Sequence, residues 1–280
     1  MLLGFLLGLL FGSFLNVCIS RLPAHRSVIT PRSHCNTCGA LIAWYDNIPI
    51  LSWLALRAHC RHCDAVIPWR YPAVEFAFGL WFALCAGRMA ALGNASEWAD
   101  FNPPVCHVYQ DLLFWLGILI LGFLLIGLMV MDWQTQRLPD AFTVTGIVLG
   151  FALACVQAIF HGPNQCFSTL FLQRIAAIAA AALILLLIRW IYKALRKQEG
   201  MGLGDVKMLA MIAAFLGLWT TLVALFAAVI TASIFGIGQL THHKAHATSR
   251  LPFGSFLAAG GLFAALFGSP IVAWYMTLLR

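Results

Sequence analysis

Two aspartates and four cysteines are the residues of this 280-residue chain best placed to do chemistry. Asp132 closes a long apolar run in Val130-Met131-Asp132-Trp133. Asp205 follows three alternating glycines in Gly200-Met201-Gly202-Leu203-Gly204-Asp205. A carboxylate at the edge of hydrocarbon is costly to keep, so each is a candidate functional group. Two such acids on one side of a membrane suggest a pair that shares a proton and activates water. Each also has a plainer reading. Asp132 could pair with Arg137, and Asp205 could cap the helix that follows the glycines. Against the first, Asp132 stands at the negative end of its helix dipole, where an anion is disfavoured. Asp140 follows Leu138-Pro139 and is most simply an N-terminal cap.

Cys35-x2-Cys38 and Cys60-x2-Cys63 are separated by 21 residues. Each pair suits two ligands of a tetrahedral Zn2+, and four thiolates close the coordination shell. Such a metal is structural, and it would hold together a loop too small to build its own core. His34, His59 and His62 are expected to be solvated loop residues. Cys18, Cys85 and Cys155 lie in apolar runs and read as small core residues. Cys106 and Cys166 fall in short connections on the other side, where a disulfide between them is conceivable.

The elements that must position these groups are membrane helices. The chain is 62% hydrophobic and only 10% charged, with a mean hydropathy of +0.89. The apolar runs come in helix-length blocks, not in the alternating segments of a barrel. Eight spans are expected, near 1–20, 72–92, 112–131, 140–160, 170–190, 203–218, 220–240 and 253–278. The first is read as a retained span, because no basic residue precedes Arg21 and Arg21-Leu22-Pro23 does not resemble a cleavage site. Fourteen of the 17 Lys and Arg fall on one set of connections; Arg88, Arg174 and Arg280 fall on the other. The positive-inside rule then places the 21–70 loop, Asp132 and Asp205 at the cytoplasmic face and both termini outside. The net charge of +7 forms no concentrated basic stripe, so nucleic acid is not an expected partner.

Other acids are weaker candidates. Glu75, in Arg70-Tyr71-Pro72-Ala73-Val74-Glu75, is either a helix-start carboxylate or a buried ligand contact. The chain has no His-Glu-x-x-His, no Gly-x-Ser-x-Gly and no Gly-x-Gly-x-x-Gly after a strand. Zincin, serine hydrolase and Rossmann chemistry are therefore not indicated.

Five blocks in order resemble the type IV prepilin leader peptidases, a family of bifunctional peptidases and N-methyltransferases. The blocks are Gly8 to Val17 with Arg21-Leu22-Pro23, and Asn47 to Leu54 with both cysteine pairs and Arg70 to Glu75. They continue with Asp132 plus Leu138-Pro139-Asp140, then Gly202-Leu203-Gly204-Asp205-Val206-Lys207, and finally Pro252-Phe253-Gly254-Ser255-Phe256-Leu257-Ala258. The fourth is similar to the GxGD block of intramembrane aspartic proteases. The chain departs from many relatives at Gln134, where a second acid often stands, and Ser255 carries no expectation.

The resemblance implies an all-α polytopic membrane protein of about eight spans. Residues 1–20 would form the first helix, 21–71 a small cytoplasmic zinc-binding domain, and 72–280 the peptidase domain. It implies Asp132 and Asp205 as catalytic residues and Cys35, Cys38, Cys60 and Cys63 as zinc ligands. The substrates would be prepilins or pseudopilins, met in the lipid of the bacterial inner membrane. Their basic leader would be cut at the cytoplasmic face, and the new N-terminus methylated from S-adenosylmethionine. The competing classes are a proton-coupled transporter with a zinc-binding regulatory loop and a membrane scaffold. A transport relay would place its acids nearer the midplane.

Overall fold

In the computed structural model of the protein, residues 1–24, 26–95, 105–159, 167–197, 202–241 and 252–279 are described. Their regular secondary structure is helical, with short 3-10 turns and two isolated β-bridges; most of 26–69 is turns and irregular chain. They fall into two compact units, 1–96 and 97–280.

The first unit is a helix hairpin with the cysteine loop between its arms. Helix α1 (Leu2–Arg21) packs along α3 (Arg70–Ala95), and the loop between them carries the five-residue α2 (Leu51–Ala55). Gly8 and Gly12 are one turn apart on the α1 face that meets α3. A Cβ at Gly8 would lie 2.7 Å from Phe78 O, and one at Gly12 would lie 2.7 Å from Glu75 Cα. Both obstacles are backbone, so only glycine permits this approach. Lipid removes most of the hydrophobic drive between helices, and close packing of small residues replaces it.

The second unit contains α4 (Val105–Thr135), α5 (Asp140–Ile159), α6 (Phe167–Arg196), α7 (Leu203–Leu216), α8 (Leu218–Thr241) and α9 (Phe253–Leu278). Helix α7 is at its centre: Val206 and every residue from Met208 to Ala214 are buried. An apolar sequence on all sides belongs in such a place. Helix α5 approaches it through Gly150, where a Cβ would press on the Phe215 ring and on Ala214. Gly261 of α9 fits between Leu125 of α4 and Ile212 of α7. The outward faces of α6 and α8 remain apolar and exposed, as at Leu187, Trp190, Phe226 and Ile234, which suits hydrocarbon.

The helix ends follow from local chemistry. Helix α4 stops at Gln136, in the left-handed region at φ 51°, and Pro139 starts α5. Gly217, at φ 78°, turns α7 directly into α8.

Among the described residues, seven helices are long and apolar enough to cross a membrane, and they cover seven of the eight expected spans. The eighth, expected at 203–218, is α7. Its 14 residues reach about 21 Å at 1.5 Å per residue, short of a hydrocarbon core of about 30 Å. Helix α7 is thus a short, enclosed helix, stopped by Gly217. Cys166 of the conceivable Cys106–Cys166 pair lies outside the described residues.

Candidate active site and metal centre

Asp132 and Asp205 lie 73 positions apart in sequence and meet in the second unit. Asp132 sits one turn from the end of α4 and is 5% exposed; Asp205 is in the first turn of α7 and is 8% exposed. Gly254, in the first turn of α9, marks their meeting point. A Cβ there would be 3.0 Å from Asp132 Oδ2 and 3.1 Å from Asp205 Oδ1. The two carboxylate oxygens, lying 3.0 and 3.1 Å from one point, are therefore at most about 6 Å apart. Any side chain at position 254 would push between them.

Each acid is held by the start of a helix. The Ser255 N–H donates to Asp132 Oδ2 at 2.7 Å, and Ser255 Oγ lies 3.1 Å from the same oxygen and 3.0 Å from Met129 O. The positive end of α9 thereby offsets the unfavourable end of α4 on which Asp132 stands. Asp205 is the third residue after the N-cap Gly202, and its carboxylate interacts with the Gly202 backbone N–H. This is the acidic half of a capping box. The cap contact of Asp205 and its place beside Asp132 are therefore compatible in one geometry. Among the described contacts Asp132 has Ser255 as its partner, and no ion pair joins it to Arg137.

The loop between α4 and α5 completes the site. Leu138 lies against Gly204, where a Cβ would come within 2.9 Å of Leu138 Cβ. Glycine at the second GxGD position lets α7 seat against that loop, which brings Asp205 toward Asp132. Asp140 begins α5 as expected. Its carboxylate, however, pairs with Lys207 Nζ at 2.6 Å, where a cap to its own helix was expected. Both partners are substantially exposed, so this pair contributes alignment more than stability. Trp133, Phe235 and Phe256 form a run of ring contacts at 5.8 and 5.3 Å beside the acids.

Gly254 and Ser255, quoted in the fifth block without a role of their own, are further residues that touch the two acids. The available signal was Pro252 followed by small residues at a helix start, a pattern that leaves N–H groups open to an anion. Ser255→Ala is expected to keep the N–H contact and lose the hydroxyl. Peptide cleavage should then fall about tenfold, the scale of one hydrogen bond to a charged group. Steady-state cleavage kinetics check this; an unchanged rate removes the hydroxyl from the site.

The four expected cysteines also converge. The sulfurs of Cys35, Cys38, Cys60 and Cys63 all lie within 4.8 Å of one another, and Cys35 Sγ is 3.7 Å from Cys63 Sγ. Tetrahedral thiolates at the Zn–S distance of about 2.3 Å have sulfurs about 3.8 Å apart, so the cluster fits zinc. Residues 32–42 and 57–67 form a repeat, Arg-Ser-His-Cys-x2-Cys-Gly-Ala-Leu-Ile and Arg-Ala-His-Cys-x2-Cys-Asp-Ala-Val-Ile. Its hydrogen bonds repeat as well. Cys35 N–H donates to Ala40 O and Cys60 N–H to Ala65 O, while Gly39 and Asp64 return N–H bonds to Cys35 O and Cys60 O. Gly39 (φ 71°) and Asp64 (φ 57°) occupy the same left-handed turn position. His34 and His59 are not merely solvated: each ring Nδ1 lies within hydrogen-bond distance of the carbonyl two residues before it. Arg61 makes a two-point contact to Asp46 at 2.9 and 2.6 Å, which fastens the second knuckle to the intervening loop and holds Asp46 below the usual carboxylate range.

The thiols do not ionise alike. Backbone N–H groups of Cys38 and Thr37 bring Cys35 down to about 6. Cys63 is pulled down by the Ala65 N–H, yet the neighbouring Cys38, Cys60 and Cys35 thiols push it up to about 12. The first thiolate forms readily and the last resists, because clustered negative charges repel. A divalent cation at their centre removes that repulsion.

Comparison with known proteins covers both units. A family model described as "Bacterial Peptidase A24 N-terminal domain" matches residues 6–89, and one described as "Type IV leader peptidase family" matches residues 118–237. The chain is similar to the "Prepilin leader peptidase/N-methyltransferase" of Burkholderia pseudomallei (strain 1026b), with 34% identity over 294 residues. That alignment covers 94% of this chain and 84% of the relative. The protein of the same name from Aeromonas hydrophila is 32% identical over 299 residues, covering 98% and 92%. That from Myxococcus xanthus (strain DK1622) is 35% identical over 236 residues, covering 84% and 62%. No solved structure matches.

Proposed function

We propose, from the premise that this chain belongs to the type IV leader peptidase family, the prepilin leader peptidase/N-methyltransferases, that Asp132 and Asp205 form its peptidase dyad. The observation that supports this most is the convergence of the two carboxylates over Gly254. Two carboxylates this close share one proton. The ionised member takes a proton from water, and the water oxygen attacks the scissile carbonyl. The protonated member donates to the carbonyl oxygen, giving a gem-diol; as the C–N bond breaks, the other member passes the proton it took from water to the leaving amine, and the diol hydroxyl returns a proton to the first. The proton belongs to the pair and not to either residue.

Their surroundings suit an extended substrate. Gly202, before Asp205, leaves no side chain in the way of a peptide backbone. The substrate is a prepilin or pseudopilin, whose basic leader ends where an apolar helix begins. The enzyme is a multi-pass protein of the bacterial inner membrane; cleavage takes place at the cytoplasmic face and both termini lie outside. The basic-residue asymmetry supports that orientation.

The cysteine cluster holds a structural zinc, supported by the sulfur spacing and the two matched knuckles. Methylation of the new N-terminus is the second activity. S-adenosylmethionine supplies an electrophilic methyl group when bound. The experiment that tests the reading is mass spectrometry of a pilin precursor incubated with the purified enzyme and S-adenosylmethionine. Loss of the leader and a gain of one methylene mass on the new N-terminus are expected; an intact precursor refutes the peptidase, and a cleaved but unmodified product refutes the methyltransferase.

A further inference from the structure

The first unit buries a second polar cluster that the dyad does not use. On α1, Gly12, Ser13 and Asn16 face α3 at Tyr71 and Glu75. Glu75 is 8% exposed and Asn16 is 5% exposed, both inside a pair of membrane-type helices. Gly12 places the two backbones in contact beside Glu75. The Ser13 side chain hydrogen-bonds the Glu75 carboxylate, and Asn16 Nδ2 donates to Tyr71 O at 2.9 Å. One turn of α3 separates Tyr71 from Glu75, so these contacts form one patch.

Two features mark the patch as more than packing. The Ile50 N–H donates to Glu75 Oε2 at 2.8 Å, and Ile50 is a β-branched residue held at φ 60°, ψ −49°. Such a conformation costs about 1–3 kcal/mol and persists where the surroundings enforce it, commonly at functional sites. Moreover, Asn16 Oδ1 is buried and has no hydrogen-bond partner. A buried unsatisfied acceptor costs about 1–3 kcal/mol and calls for an explanation. The patch is therefore rich in acceptors. A carboxylate offers about four lone-pair sites, of which Ile50 and Ser13 use two, and the Asn16 oxygen adds another. Its complement is a compact cation with several N–H donors. A primary ammonium has one positive charge and three donors.

We infer that Glu75 and Asn16 form the seat for the primary α-ammonium group handled in methyl transfer. This rests on the methyltransferase reading above. That chemistry presents such a group from two sources: the amino-acid end of S-adenosylmethionine, and the N-terminus exposed when the leader is removed. Glu75 supplies the charge, and Asn16 Oδ1 supplies the directed acceptor. The Ile50 contact fixes the carboxylate's rotamer, so the seat is formed before the ligand arrives.

The test uses the full-length enzyme in lipid nanodiscs, with a synthetic pilin peptide that already lacks its leader. Methylation then does not depend on the dyad. Glu75→Gln keeps the size of the side chain and an acceptor for the Ile50 N–H while removing the charge. Methylation kcat/KM should fall about 10–100-fold, the scale of a hydrogen bond to a charged group. Equilibrium dialysis with radiolabelled S-adenosylmethionine, in the absence of peptide, measures donor Kd directly. A weakened Kd identifies the donor's ammonium as the ligand. An unchanged Kd with a raised KM for the peptide identifies the pilin N-terminus. Wild-type methylation with both constants unaltered in Glu75→Gln overturns the inference, as does a loss confined to zinc content or melting temperature. Should that variant not fold, Asn16→Ala, which leaves the Ile50 contact intact, bears the same readouts. A wild-type protein that neither binds the donor nor methylates refutes the methyltransferase reading, and the inference falls with it.

Discussion

Asp132→Asn or Asp205→Asn is expected to lower leader cleavage by about 10³-fold or more, the upper part of what a positioned acid or base contributes. Asparagine matches aspartate in shape, so the geometry over Gly254 is preserved. At position 132 its oxygen still accepts the Ser255 N–H, now 2.7 Å from Asp132 Oδ2. What is lost is the proton that the pair exchanges with water and carbonyl. Because the two residues act as one unit, the double variant should be scarcely worse than either single one. Cleavage of a pilin precursor, followed by mass spectrometry beside circular dichroism of each variant, decides the matter. Near-normal cleavage by either single variant, in a protein with unaltered helix content, dissolves the dyad. Rates that multiply in the double variant would mean two independent groups.

The second large effect concerns the metal. Cys60→Ser, or a strong chelator, is expected to reduce bound zinc from about one per chain to near zero and to open residues 34–67 to protease. Four thiolates bind structural zinc with apparent free energies of about 10–16 kcal/mol in small peptides, and that energy is folding energy. The loop has little else to hold it. Its two knuckles are turns of three backbone hydrogen bonds each, and its large apolar residues Ile29, Leu41, Trp44, Leu54, Val66 and Trp69 are exposed. Serine cannot replace a thiolate as a soft ligand at neutral pH. Elemental analysis and limited proteolysis check the two parts separately. Unchanged zinc in Cys60→Ser would remove that residue from the ligand set. Full zinc loss with an intact protease pattern would mean that the loop stands without metal.

Family membership decided between classes that the residues alone left open. A transporter and a scaffold both accommodate a zinc loop and buried acids. The matches to leader peptidases extend over 84–98% of the chain, so they embrace both the cysteine loop and the aspartate helices.

By itself the sequence determined what depends on local chemistry and on the membrane as solvent. Helix-length apolar runs must be helices, because lipid leaves no other partner for the backbone. Seven of the eight expected spans are long, apolar helices for this reason. Two CxxC pairs marked a four-cysteine cluster able to hold a metal, because ligand spacing within a knuckle is a short-range property. Acids at the ends of apolar helices stood out because their desolvation cost is local. Only the tertiary structure decided how these pieces meet. Whether 203–218 crosses the membrane depended on Gly217 and on the burial of α7 by its neighbours, which hydropathy does not register. The bond from Ser255 to Asp132 spans 123 positions, and that from Ile50 to Glu75 spans 25. Side-chain contacts at such separations are set by the packing of whole helices through their glycines. A Cβ absent at Gly12, Gly204 or Gly254 is visible in the sequence, but the atom it would have struck is not.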